Sequence, residues 1–169
     1  MRPLFNSVMS YVLDTSAIIS RRFNLAGPDV LIPDSVIEEI RKGKLKSMLD
    51  AMDETIKVMS PSRESIKAVR EKARISGDLD ELSDTDIDVI ALAYETKSKI
   101  ISDDFAIQNV ASLLSIDFMG ADISEIRQQV IWNYRCTGCR KFFTTPIGLC
   151  PVCGHEVVRS RAVSRKKKK

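Results

Sequence analysis

Short apolar runs alternate with stretches of helical period along most of the chain, and this alternation limits the folds open to it. Apolar runs of strand length occur at 11–13, 30–32, 56–59, 99–102 and 117–119. Helical patterns lie between them, at 18–23, from Pro33 onward, at 62–75 with Gly77 as its stop, from Ser83 onward and at 105–114. Strands that alternate with helices form right-handed βαβ units. The pattern therefore predicts an α/β fold with a mainly parallel sheet.

The length and composition indicate a globular protein. A chain of 169 residues holds one ordinary domain and a small appendage. Its 44% hydrophobic and 29% charged residues exclude wholesale disorder. No run of eighteen apolar residues and no signal-peptide core is present, which predicts a cytoplasmic protein with no membrane association. Met9 stands just before the first strand, so Met1 and Met9 are both candidate start residues.

The charge is distributed unevenly. From Arg127 onward the chain carries eleven lysines and arginines against one acid, Glu156, for a segment charge of +10. The whole chain is +3, so residues 1–126 carry −7. The tail at 161–169 has too little apolar content to fold. An acidic body with a basic end predicts that the end supplies affinity for phosphates.

Acidic residues follow two of the predicted strands. Asp14 follows the first, and Asp103 and Asp104 follow the fourth. In parallel sheets, ligands bind beyond the carboxyl ends of the strands. A buried carboxylate needs hydrogen bonds, a partner charge or a metal. Capping of the next helix is an equally good interpretation of Asp14 or Asp104 alone.

Two further acids lie on predicted helices. Glu39 stands among apolar residues, two turns into the helix after the second strand, and Asp86 ends the capping-box sequence 83–86. Asp84 and Asp88 compete with Asp86 for a role, and a solvated or capping acid is the alternative for each. Carboxylates brought close together repel one another unless cations neutralise them. An oxygen-only cluster suits Mg²⁺ or Mn²⁺, which keep waters for a substrate phosphate.

These acids lie in four segments that resemble the signatures of PIN-domain ribonucleases. The segments are Val12-Leu13-Asp14-Thr15-Ser16, Pro33-x-x-Val36-x-x-Glu39-Ile40, Ser83-x-x-Asp86 followed by Ile90-Ala-Leu-Ala93, and Ile101-Ser-Asp-Asp104-Phe. The resemblance implies a three-layer α/β/α domain that cleaves single-stranded RNA with Mg²⁺ or Mn²⁺. It implies catalytic roles for Asp14, Glu39, Asp86 and Asp104, with Asp14, Asp86 and Asp104 as metal ligands. Thr15 or Ser16 would place a hydroxyl near the metal, and Asp103 would be an outer acid.

The four cysteines form two pairs, Cys136 with Cys139 and Cys150 with Cys153. In a reducing cytosol, such clustering favours a metal site over disulfides. Four thiolates with no open position describe structural zinc. An iron site and a dithiol redox pair are the alternatives. Zinc would supply the folding energy that about thirty residues cannot obtain from a core of their own.

Basic and aromatic residues are interleaved around these cysteines. Cations contact phosphates and rings stack on bases, so the segment suits nucleic acid. The rings are Trp132, Tyr134, Phe142 and Phe143, and about half of them are expected to fill the small core instead. The predicted RNA-binding residues are Arg135, Arg140, Lys141, Arg159 and Arg161. His155 is expected to be exposed or to form a local hydrogen bond.

The order of these segments is similar to that of the NIN-one-binding family of ribosome-biogenesis endonucleases. The stretch 103–110 and the approach Trp132-x-Tyr134-x-Cys136 carry the similarity. It implies cleavage of the small-subunit rRNA precursor at the mature 3′ end, with the small ribosomal subunit and an RNA-binding assembly factor as partners. The lack of a long insertion between the domains implies an archaeal source. A toxin-like or quality-control PIN ribonuclease, or an RNA-binding assembly factor without catalysis, are the alternatives.

The predicted domain organisation follows from these assignments. It comprises a PIN domain at 1–122, a linker helix at 123–130, a zinc ribbon at 131–160 and a disordered basic tail at 161–169. The two folded units are expected to have separate cores, so loss of zinc would leave the first unit folded.

Overall fold

A computed structural model describes residues 10–20, 29–42, 56–121, 126 and 128–162. Its first unit is built on five parallel strands in the order β3-β2-β1-β4-β5. The strands are β1 Ser10–Leu13, β2 Asp29–Pro33, β3 Ile56–Met59, β4 Lys99–Ile101 and β5 Phe118–Met119. All five match the predicted apolar runs within two residues, and the α/β fold class is confirmed. The central strand β1 is buried at Val12 and Leu13, as expected for a strand covered on both faces.

Within the described residues, five helices accompany this sheet: α1 Thr15–Ser20, α2 Asp34–Lys42, α3 Arg63–Ser76, α4 Asp84–Thr96 and α5 Phe105–Leu113. Helix α1 begins before its predicted start, because the Asp14 side chain accepts a hydrogen bond from the Ala17 backbone N–H and caps it. Helix α2 begins at Asp34 because Pro33 still belongs to β2. Within the described ranges, no helix combines the length and apolarity needed to cross a bilayer.

Local capping explains where α3 begins and ends. Ser62 precedes it, and its hydroxyl accepts from the Ser65 backbone N–H at 3.3 Å. Gly77 ends it with φ of 79°, the left-handed conformation that glycine adopts without strain. A Cβ at Gly77 would also lie 2.9 Å from Cβ of Trp132. Glycine is therefore required here by the turn and by the close approach of the second unit.

The second unit is a three-stranded antiparallel sheet in the order β7-β6-β8. Its strands are β6 Ile131–Cys136, β7 Phe142–Phe143 and β8 Val157–Ala162. Strand β8 pairs with β6 as far as Ala162, so residues 161 and 162 belong to the sheet and not to the predicted tail; residues 163–169 lie outside the described residues. Of the linker helix predicted at 123–130, residues 126 and 128–130 are not helical, and 123–125 and 127 lie outside the described residues.

A buried ion pair joins the two units. Asp78, in the turn after α3, is 2% exposed. Arg159 of β8 donates to Asp78 Oδ1 at 2.5 Å and to Glu81 Oε1 at 2.7 Å, and its guanidinium lies 4.2 Å from the ring centroid of Trp132. Asn109 of α5 donates to Asp78 Oδ2 at 2.6 Å. We term these five residues the clamp.

The backbone of Val130, which precedes β6, extends this contact. Its carbonyl accepts from the side-chain amide of Asn109 at 2.7 Å, and its N–H donates to Asn109 Oδ1 at 2.8 Å. A buried carboxylate that loses its cation is costly. We therefore expect Arg159 of the second unit to contribute to the stability of the first. The core cluster itself contains residues of the first unit only, and whether that unit stays folded on loss of zinc remains a prediction.

Candidate active site and metal centre

The pairing of β1 with β4 sets the position of the site. Leu13 lies opposite Ile101 in the parallel register, and the Asp14 backbone N–H donates to the Ile101 carbonyl at 3.3 Å. The residues after the two strands therefore meet at one edge of the sheet. They line a cleft of about 360 Å³ formed by Asp14, Thr15, Ser16, Glu39, Asp86, Asp103 and Asp104. The four acids predicted from sequence are thus brought together, with Asp103 and both hydroxyl residues beside them.

Asp14 is the most buried of these acids, with 5% of its surface exposed. Its Oδ1 accepts from the Ala17 backbone N–H at 2.7 Å and from Ser16 Oγ at 2.9 Å, and its Oδ2 accepts from Ser102 Oγ. Burial raises the pKa of Asp14; the hydrogen bonds from Ser102, Ala17 and Ser16 oppose the rise, and the charge of Asp86 adds to it. Asp14 therefore both caps α1 and belongs to the group of acids that line the cleft.

Asp86 also combines two roles. Its Oδ2 accepts from the Ser83 backbone N–H at 2.8 Å and from Ser83 Oγ at 2.7 Å, which completes the predicted capping box of α4. Burial raises the pKa of Asp86, the two Ser83 hydrogen bonds lower it, and the charges of Asp104 and Glu39 raise it. The capping box therefore holds a carboxylate whose pKa is raised by the charges of other acids in the cleft.

Glu39 and Asp104 are the exposed acids of the cleft. Thr15 Oγ1 donates to Glu39 Oε2 at 2.7 Å, so a hydroxyl from the first strand end orients an acid from α2. Asp104 caps α5, with Oδ1 accepting from the backbone N–H groups of Ala106 and Ile107. One carboxylate oxygen of Asp103 accepts from the Ala121 backbone N–H at 2.8 Å, which ties the end of β4 to the chain after β5.

Ser102 is a site residue that the sequence reasoning missed. It is fully buried, donates to Asp14 Oδ2, and accepts from the Asp104 backbone N–H at 3.1 Å. One hydroxyl therefore links the two strand-end acids. Gln108 fixes this segment by donating to the Ser102 carbonyl at 2.9 Å. The available signal was the position of Ser102 at the carboxyl end of its predicted strand.

The donor set of the cleft fits a hard divalent cation. All of its ionisable groups are carboxylates, and their mutual repulsion contributes to the raised pKa of Asp14 and of Asp86. Across the described residues, the four cysteines form a group of candidate ligand atoms within 4.8 Å of one another, and the acids of the cleft do not form such a group. Mg²⁺ retains several waters beside its carboxylate ligands, so oxygen ligands without that close spacing still fit it.

The four cysteines form the second candidate centre. All are free thiols, and their sulfur atoms lie within 4.8 Å of one another. The Cys136–Cys153 and Cys139–Cys150 sulfur distances are 3.3 and 3.6 Å. Zn–S bonds of about 2.3 Å in a tetrahedron place sulfurs at roughly 3.8 Å, close to these values. The group therefore fits one tetrahedral ion.

Backbone amides prepare this centre for a metal. Hydrogen bonds from the His155 backbone N–H and from the Cys136 thiol lower the pKa of the Cys153 thiol to about 5. A hydrogen bond from the Lys141 backbone lowers the pKa of Cys139, but its hydrogen bonds with the other thiols and its desolvation outweigh this and raise that pKa to about 11. Metal ligation requires thiolates, so binding of an ion would release protons from this group. His155 is exposed, with Nδ1 3.1 Å from the Cys153 carbonyl oxygen, as the sequence predicted.

The predicted RNA-binding residues have different surroundings. Arg140 and Lys141 are exposed at the turn before β7, and the Arg135 guanidinium lies 5.3 Å from the ring centroid of Phe142. Arg159 is held in the clamp by ion pairs with Asp78 and Glu81 and is 26% exposed, so its predicted role in RNA binding stays a prediction. The side chain of Arg161 lies outside the described residues.

The aromatic rings of this segment divide much as expected. Tyr134 is buried in the small sheet, and Phe142 is 61% exposed. Trp132 is half-buried under the guanidinium of Arg159.

Comparison with known proteins identifies relatives over most of the chain. Residues 11–96 match the family model of the PIN domain of ribonuclease. Ribonuclease VapC1 of Thermoplasma acidophilum is 52% identical over 89% of this chain and 78% of its own. Endoribonuclease Nob1 of Pyrococcus abyssi is 36% identical over 88% of this chain and 92% of its own. The 20S-pre-rRNA D-site endonuclease NOB1 of Saccharomyces cerevisiae is 28% identical over 60% of this chain and 23% of its own.

Proposed function

The chain belongs to the PIN-domain ribonucleases and, within them, to the Nob1 endoribonucleases, and on that premise we propose that it cleaves the small-subunit rRNA precursor to generate the mature 3′ end. Its activity is that of a divalent-metal-dependent endoribonuclease. The meeting of the four predicted acids in one cleft supports the proposal. The assignment to pre-rRNA is supported by the family and by the activity for which the yeast relative, a 20S-pre-rRNA D-site endonuclease, is named.

Within the cleft, we assign Asp14, Asp86 and Asp104 as ligands of Mg²⁺ or Mn²⁺ and Glu39 as the fourth catalytic acid. Ser102, Ser16 and the Ala17 backbone hold Asp14 in one orientation. A bound divalent ion supplies an activated water and neutralises charge on the phosphate. The protein's part is to hold charged oxygens in place before substrate arrives, which reduces reorganisation during the reaction.

The second unit would act in binding RNA. Structural Zn²⁺ held by the four cysteines stabilises it, and the exposed Arg140 and Lys141 present charge, together with Arg135, Arg161 and the basic tail. We place the domains at 1–122 and 131–160. The acidic first unit has little to attract a polyanion, so the second unit supplies phosphate contacts. A substrate in the small ribosomal subunit implies cytoplasmic action, with an RNA-binding assembly factor as a further partner.

The proposal is tested with RNA fragments that span the 3′ end of the small-subunit rRNA. The zinc-loaded protein is incubated with them in the presence and absence of Mn²⁺, and the cut is mapped. The expected result is one Mn²⁺-dependent cut at the mature end, absent with Asp14→Asn. Cuts that are scattered, or that occur equally in unrelated single-stranded RNA, contradict the assignment to pre-rRNA while leaving the nuclease activity in place.

A second candidate function is that of a toxin-like ribonuclease with other RNA targets. It is favoured by the name of the Thermoplasma relative, ribonuclease VapC1. That alignment covers 89% of the chain, so it reaches the cysteine-rich segment wherever it begins. The relative therefore aligns with more than the nuclease domain, and its name alone does not separate the two functions. A tRNA or mRNA cut faster than the rRNA fragments would favour this second candidate.

A further inference from the structure

A second groove adjoins the acidic cleft. It has a volume of about 440 Å³ and lies between the two units, with lining residues from α5, from the turn after α3, and from β6 and β8. Asp103 and Asp104 line both the groove and the cleft. Whatever occupies the groove therefore lies next to the assigned catalytic acids. We term it the interdomain groove.

An aromatic side chain stands where the groove meets the cleft. Phe105 directly follows Asp104 at the first position of α5, lines the groove and is 53% exposed. A single exposed apolar residue is ordinary on a protein surface. Here, however, Trp132 lines the same groove, and the Arg159 guanidinium 4.2 Å from its ring centroid fixes its orientation. Two rings thus line one concave surface beside a nuclease site.

The charges in the groove favour the base of a nucleotide over its phosphate. Arg159 is the one cation among the described lining residues, and Asp78 and Glu81 already occupy it. The described lining carries four carboxylates and one guanidinium, so a phosphate would be repelled by a net negative charge, whereas an uncharged base would not. Ligand sites of about this volume commonly combine apolar walls with a few polar groups.

We propose that the interdomain groove is a nucleobase subsite, in which a base flanking the scissile phosphate stacks on Phe105 with Trp132 beside it. The proposal rests on the assignment of the acidic cleft as the cleavage site and adds a determinant of substrate position. Stacking on one ring fixes the distance between that base and the strand-end acids. It tolerates any base, because every base has an aromatic face.

The test is an abasic scan of a short single-stranded RNA, measured as binding to the full-length zinc-loaded protein without added Mg²⁺ or Mn²⁺. Each position in turn carries an abasic nucleotide, and affinity is compared between wild type and Phe105→Leu. Tyr94→Leu is the matched control, because Tyr94 is also an exposed ring, lies on α4 and does not line the groove. Fluorescence of Trp132, the single tryptophan of the chain, reports occupancy of the groove.

For wild type, we expect one abasic position to weaken binding about tenfold, which is within the range of base–aromatic stacking. Phe105→Leu should weaken binding of intact RNA by a similar factor and lose sensitivity to that abasic position, whereas Tyr94→Leu should keep that sensitivity. Equal abasic profiles for wild type and Phe105→Leu would overturn the proposed subsite. The exposed ring of Phe105 would then be better explained by contact with a protein partner. Because the scan measures binding to any single-stranded RNA, its outcome is separate from where, or whether, pre-rRNA is cut.

Discussion

Replacement of Arg159 by leucine should destabilise the whole protein, because it leaves the carboxylate of Asp78 buried without a cation. The side chain of Asp78 is 3% exposed and that of Arg159 is 26% exposed. Breaking a buried ion pair from one side typically costs 3–5 kcal/mol. Asp78 keeps the hydrogen bond from Asn109, so we place the loss near the lower end, at about 3 kcal/mol.

A loss of that size is measurable and large. For a chain of this length, about 3 kcal/mol corresponds to a fall in Tm of roughly 6–12 °C. Unfolding in urea is followed by far-UV circular dichroism and by fluorescence of Trp132, which lies under the Arg159 guanidinium. Circular dichroism reports unfolding of the whole chain, and Trp132 fluorescence reports loss of the contact between its two units.

The exposed pair Arg70–Asp84 is the matched control. Its N–O distance of 2.6 Å is close to the 2.5 Å of the Arg159–Asp78 pair, but its side chains are 43% and 89% exposed. Arg70→Leu should therefore cost no more than about 1 kcal/mol. The contrast isolates the effect of burial.

A double-mutant cycle separates the ion pair from the other contacts of Arg159. Asp78→Asn removes the charge that Arg159 neutralises, so the double variant should lose less free energy of unfolding than the two single variants together, by at least about 1 kcal/mol. The reasoning fails if Arg159→Leu costs as little as Arg70→Leu. It also fails if the cycle gives no coupling.

Three further predictions concern the two metal sites. Asp14→Asn should lower cleavage about 100-fold or more, since groups that only orient metal ligands already contribute 10–100-fold. Without divalent ions, Asp14→Asn should gain stability relative to wild type as the pH rises above 3.8, the ordinary carboxyl value, because a carboxyl whose pKa is raised on folding loses its contribution to stability as it ionises; a difference that stays constant with pH in urea titrations would contradict this. Ser102→Ala should raise the pKa of Asp14 further and shift the acidic limb of the pH–activity profile to higher pH, and an unchanged limb would argue against it. Elemental analysis should find one zinc per chain, and chelation should lower the stability of the α/β unit as well, through the clamp; an unchanged thermal transition of that unit would refute the coupling.

Much of the fold was predictable because it is encoded over short distances in the chain. Helix α3 begins at its Ser62 cap and ends at Gly77 through contacts within three or four residues. The capping box of Ser83 and Asp86 is equally local. The cysteine spacing alone predicted that four sulfurs would meet, and the structure brings them within 4.8 Å of one another.

The position of the acids was also predictable, although through one additional rule. The carboxyl ends of neighbouring parallel strands lie at the same sheet edge, so Asp14 and Asp104 were expected to be close. The sequence left open whether each acid caps a helix or serves the site. Asp14, Asp86 and Asp104 each do the first while lining the cleft.

Contacts between distant segments were decided by the tertiary structure alone. Ser102 reaches Asp14 across 88 positions, and Arg159 reaches Asp78 across 81. Sequence reasoning assigned Arg159 to RNA because an arginine in a basic segment has the same pattern whether it faces a phosphate or a buried acid. Which of the two it meets depends on how β8 lies against the turn after α3. That packing buries Asp78. Because a buried carboxylate without a cation is costly, the Arg159 guanidinium pairs with Asp78.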